Sequence, residues 1–126
     1  MISLRPARRT PRTGSLERLS VGGAARLARA GSLLAQLGHL DRAIALNEEA
    51  VARDPLESFP WFDLGRLLAQ RYAESEDAGV RRASVARAVE VLERARELGL
   101  DLDRQTGAEA FDAMREEPAF QSLLGR

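Results

Sequence analysis

The chain contains no cysteine and no lysine, one histidine, and only six aromatic side chains, four of them phenylalanine, in 126 residues. Without cysteine it can form neither a disulfide nor a thiolate metal site, and thiol redox chemistry is excluded. His39, the single histidine, has no second histidine with which to build a metal pair, and no acid or nucleophile stands beside it. Long apolar runs are also missing. None approaches the roughly 18 to 20 residues that a membrane-spanning helix needs, and Met1 to Ser20 lacks the apolar core of a secretory signal. Pro6 and Pro11 break any amphipathic transit helix there. We therefore expect a cytoplasmic chain with no membrane partner.

Several chemical signatures are absent as well. Gly22-Gly23 has neither the preceding strand nor the following Lys-Ser/Thr of a phosphate loop, so it reads as a linker hinge. There is no nucleophile elbow and no dinucleotide fingerprint. The acidic clusters Glu48-Glu49, Glu74-Ser75-Glu76-Asp77 and Glu116-Glu117 lack the alternating oxygen ligands and central glycine of a calcium loop, and read as solvated helix faces. The expectation is a non-enzyme with no cofactor, no metal and no small-molecule substrate.

Charge is balanced, with 19 basic and 19 acidic residues, so the whole molecule has no general pull toward nucleic acid. The balance hides an asymmetry. Arg5, Arg8, Arg9, Arg12 and Arg18 face only Glu17 in residues 1 to 20, a net of +4, and the remaining fourteen arginines against eighteen acids leave −4. The basic segment has no interleaved aromatic for base stacking, so a nucleic-acid contact through it is the weaker alternative. An apolar share of 44% with 30% charged residues is that of a folded globular chain.

Along the chain, residues 1–23 read as a flexible basic tail, rich in proline, glycine and arginine without periodicity. From Ala24 the apolar residues take helical spacing. Leu27, Ala30, Leu33, Leu34 and Leu37 form a first stripe that stops at Gly38. A second follows Asp41, an N-cap candidate, through Ile44, Leu46, Ala50 and Val51 to Asp54-Pro55. Ser58 and Pro60 open a third, with Trp61, Leu64, Leu67, Leu68 and Tyr72 on its apolar face. Ala73 to Gly79 reads as a polar interruption, and Val85, Ala88, Val89, Leu92, Ala95 and Leu98 make a fourth stripe closing at Gly99. The short connections predict antiparallel hairpins, and with no alternating strand pattern the fold class is all-α.

The pattern repeats. Leu27, Ala30-Gly31 and Leu34 recur 34 residues later as Trp61, Leu64-Gly65 and Leu68. Gly38, Leu40, Ala43, Ala50 and Asp54-Pro55 complete the first unit, and Ala88, Leu92 and Ala95 the second. Gly65 to Ala88 spans 23 residues where Gly31 to Ala43 spans 12, so eleven residues are inserted between the helices of unit two. With these residues the chain resembles the tetratricopeptide-repeat (TPR) family. Ala110 to Leu124, with Phe111, Met114, Pro118, Phe120, Leu123 and Leu124, resembles the segment that closes many bacterial TPR arrays.

The resemblance implies a short right-handed solenoid of helix hairpins: repeat one at 24–57, repeat two with its insertion at 58–100, and a helical C-terminal cap at 101–126. It implies a protein–protein or peptide-binding scaffold whose ligand lies in a concave groove lined by the first helix of each unit. On the matching positions that groove carries Arg29, Ser32 and Gln36 from one helix, beside the small Ala28, and Phe62, Asp63, Arg66 and Gln70 from the next. Phe62 with Arg66 is expected to be an exposed peptide anchor. Asn47 departs from the family, which has an aromatic there. Two other assignments stay open: an accessory segment of a larger bacterial signalling enzyme such as a Ser/Thr kinase, and a homo-oligomer.

Overall fold

The computed structural model describes residues 23–125, and within them the chain is helical with no strand. The expected tail, apart from Gly23, lies outside the described residues. The first helix, α1, occupies residues 23–36. It is followed by α2 (Leu40–Arg53), α3 (Ser58–Glu74) and α4 (Ala78–Glu97). The chain then closes with α5 (Leu102–Gln105), a 3-10 turn (Glu109–Met114) and α6 (Pro118–Leu124).

Local chemistry sets most boundaries. Gly38 and Gly99 have φ of 88° and 104°, a region that costs glycine nothing. Each sits just past a helix end. The His39 and Gly38 N–H groups donate to the Leu34 and Ala35 carbonyls at 2.8 and 3.1 Å, and Leu100 and Gly99 repeat this with Ala95 and Arg96 at 3.1 and 2.9 Å. These are paired Schellman closures that satisfy otherwise orphaned carbonyls. The closure after α1 delivers His39 directly as the residue preceding α2, so α2 begins at Leu40 and not after Asp41. Asp41 lies instead in the first turn, where its charge suits the helix dipole. Pro60 and Pro118 occupy first turns that need no N–H.

The eleven inserted residues do not form a loop. They lengthen both arms of the second hairpin: α3 has 17 residues and α4 has 20, against 14 in α2. Only Ser75, Glu76 and Asp77 break the helices, and the Asp77 side chain accepts from the Val80 N–H at 2.9 Å to cap α4. The polar residues that read as an interruption are mostly the solvated tip of this hairpin. The tip stands against the α1–α2 turn, and Gly38 to Arg42 with Arg71, Glu74, Ser75 and Val80 line a hollow of about 540 Å³ between them.

Both hairpins close at a glycine. A β-carbon at Gly65 would lie 2.6 Å from Leu92 Cδ2, and one at Gly31 would lie 3.1 Å from the Ala43 carbonyl and 3.2 Å from Asn47 Nδ2. Leu92 stands four residues after Ala88 as Asn47 stands four after Ala43, so both units use the same close approach despite the insertion. Ala43, Ala50, Ala88 and Ala95 are completely buried, as close helix contacts require.

Two expected core assignments are corrected. Leu33 and Leu37 are 60% and 73% exposed; α1 buries Ala24, Ala28 and Gly31 instead, because its neighbours α2 and α3 lie on that side. On α2 the buried face is Ala43, Ile44, Asn47, Ala50 and Val51, with Leu46 turned partly outward. At the C-terminus Phe111, Met114, Phe120 and Leu123 are fully buried, the rings of Phe111 and Phe120 stacked at 5.9 Å. Each such side chain removed from water contributes about 1.5 to 3 kcal/mol. Arg96 donates to the Leu123 carbonyl at 3.0 Å, and the Tyr72 hydroxyl donates to Glu117, tying the closing segment to α4 and α3.

Candidate binding groove

The residues expected to line a groove lie on α1 and α3, whose neighbouring faces bring some of them together. Arg66 reaches across: its Nη2 donates to Ser32 Oγ on α1 at 3.1 Å and to Asp63 Oδ1 at 3.1 Å. Its Nε lies 3.4 Å from the same carboxylate oxygen. Asp63 is nearly buried, at 6% exposure, and burial raises its carboxyl above the ordinary value while Arg66 opposes the shift by charge and hydrogen bonding. Ser32, Asp63 and Arg66 therefore form one polar bridge.

At one end of this bridge the helices leave a partly enclosed cavity of about 210 Å³, lined by Ala25, Ala28 and Arg29 of α1 and by Glu57, Phe59, Pro60 and Asp63. The small alanines on α1 leave the space. Arg29 is exposed at its rim. Toward the opposite end of α3, Gln70 donates to its own neighbour Glu74 at 2.8 Å, and Gln36 stands exposed at the end of α1.

Phe62 does not belong to this set. It is 6% exposed, its ring 5.7 Å from Phe111 and 6.2 Å from Phe59, because the closing 3-10 turn packs on the face of α3 that carries it. The expected exposed anchor is thus a core residue. Trp61, expected in the core, is half-buried and donates its indole N–H to the Pro55 carbonyl at 2.9 Å. The exposed aromatic of the groove is Phe59, 57% accessible, which the sequence reading missed. The spacing held a signal: Phe59, Asp63, Arg66 and Gln70 fall at i, i+4, i+7 and i+11, one continuous helical stripe.

Among the described residues, no group of three or more His, Asp or Glu side chains is placed to hold a metal ion, and His39 is an exposed turn residue. No described helix is long and apolar enough to cross a membrane. Comparison of the chain with protein-family models, with curated proteins and with solved structures finds no match.

Proposed function

We propose that this chain is a non-catalytic scaffold that holds a segment of another protein in the groove between α1 and α3, as a short TPR-type solenoid. The observation that carries the reading is the groove itself: an exposed ring, Phe59, and an exposed cation, Arg29, around a cavity floored by alanines, with the Ser32–Arg66–Asp63 bridge beside it. Further support comes from the matched glycine contacts of the two hairpins and their 34-residue offset. The cavity accepts an apolar side chain of an extended peptide, and Arg29 favours an acidic neighbour on that peptide. Aromatic and arginine side chains at such sites carry disproportionate binding energy.

Selection from a displayed random-peptide library against the full chain, followed by calorimetric titration, tests this. Phe59→Ala and Arg29→Ala are each expected to weaken the selected peptides by about 1 to 3 kcal/mol. Arg29 is exposed, so Arg29→Ala should melt with the parent, while Phe59→Ala, which removes a ring lying against Phe62, should lose a little stability and stay folded. Peptides that bind both variants as tightly as the parent would move recognition to another surface.

A further inference from the structure

The two ends of the helix array are finished differently. At one end the 3-10 turn and α6 lie on α3 and α4 and bury Phe111, Met114, Phe120 and Leu123 completely. At the other end, formed by the outer sides of α1 and α2, no described residue does this. Leu33 and Leu37 are 60% and 73% exposed there, two of only four large apolar side chains so exposed among the described residues. Beside them Leu34, Ala45 and Leu46 line a hollow of about 260 Å³ flanked by Arg42 and Glu49. A contiguous apolar patch with a charged rim marks an interaction surface, and a stacked helical array needs its terminal faces covered.

The charges on this face point to the occupant. Arg42 and Glu49 are seven residues apart, two turns along the same side of α2, with Ala45 and Leu46 midway between them. Such a stripe is its own complement when reversed. If a second α2 crosses antiparallel over Ala45 and Leu46, each Arg42 meets the Glu49 of the other copy, and both ion pairs form at once. The small Ala45 lets the two helices approach, while Leu33, Leu34 and Leu37 of α1 extend the apolar contact on either side. An interface generated by a two-fold axis must be self-complementary in this way, whereas a different partner would impose no such palindrome. The existing contact of Glu49 with Arg53, 3.5 Å between two half-exposed side chains, is a weak surface pair that Arg42 of a second copy can displace.

We propose that a second copy of this chain covers the α1–α2 end, forming a two-fold dimer centred on Ala45 and Leu46 of α2. This surface is separate from the α1–α3 groove, so the dimer and the peptide site stand or fall independently. Sedimentation of the full 126-residue chain over a dilution series should show a reversible monomer–dimer equilibrium. Arg42→Glu and Glu49→Arg should each weaken it by at least about tenfold, since either one sets two like-charge pairs across the axis. Mixing these two variants should give a heterodimer in which both pairs are attractive again, and the double variant Arg42→Glu/Glu49→Arg should regain the homodimer. Leu37→Arg, at a side chain that is largely solvated in the single chain, should abolish association while circular dichroism stays unchanged. A chain that is monomeric at every concentration overturns the proposal. So does a dimer whose charge variants associate normally, or are not rescued by mixing.

Discussion

Gly65→Ala is the sharpest probe of how the second hairpin is held together. A β-carbon built at Gly65 would sit 2.6 Å from Cδ2 and 2.7 Å from Cγ of Leu92, about 1 Å inside ordinary carbon–carbon contact. Leu92 is fully buried and cannot swing into solvent, so α3 and α4 must separate or Leu92 must leave its rotamer. Overpacking of this kind costs about 1 to 3 kcal/mol, and it acts against the roughly 1 kcal/mol that alanine gains over glycine within a helix. A net loss of up to about 2 kcal/mol is expected, lowering Tm by several degrees in a domain of this size. The decisive assay is a double-mutant cycle by denaturant melts. Leu92→Ala alone should cost about 2 to 5 kcal/mol. In that background Gly65→Ala meets no obstacle, so its effect should reverse sign and stabilise by about 1 kcal/mol. If Gly65→Ala stabilises the parent by that same amount, Leu92 does not pack against Gly65 and the hairpin register described here is wrong.

Three further outcomes follow from the same geometry. Phe62→Ala should destabilise by about 3 to 5 kcal/mol in urea melts, as for a ring packed between two others; a loss below about 1 kcal/mol would return Phe62 to the surface. Asn47 is fully buried, and among the described residues neither its Oδ1 nor its Nδ2 has a hydrogen-bond partner, at the position that Leu92 fills in the second hairpin. Asn47→Leu should therefore stabilise by about 1 to 3 kcal/mol, and a loss on melting would mean that the amide is satisfied. The raised carboxyl of Asp63 binds its proton more tightly folded than unfolded, so its contribution is full below the ordinary pKa of 3.8 and is lost as pH rises through the higher folded value. Asp63→Asn should therefore gain on the parent as pH rises across that window and hold a constant difference above it; melts in which the difference is flat or falls would contradict the burial of this charge.

The legible part of this fold was the part decided within a few residues. Gly38 and Gly99 close helices because only a residue without a β-carbon takes their positive φ without strain, and Pro60 and Pro118 open them because a first turn has no use for the missing N–H. The 34-residue offset aligned Gly31 with Gly65, and beyond the eleven inserted residues the pairing of Ala43 with Ala88 matched Asn47 with Leu92, the partners those glycines meet. Of the candidate site, Arg29, Ser32, Asp63 and Arg66 were named through the family resemblance, and Phe59 was not.

What the sequence by itself determined, then, was the helical class, the places where helices close, and the glycine and alanine positions that let them approach. Tertiary structure alone decided which of two adjacent aromatics is buried. Trp61 and Phe62 differ by one step of about 100° around α3, and Phe62 is covered only because the segment carrying Phe111 folds back on that face from nearly fifty residues further along. It also decided that Leu33 and Leu37, aliphatic and helically spaced, remain in solvent. Periodicity records that a helix has an apolar side, while burial requires a neighbour opposite it, and among the described residues that neighbour lies on the Ala24, Ala28 and Gly31 side of α1.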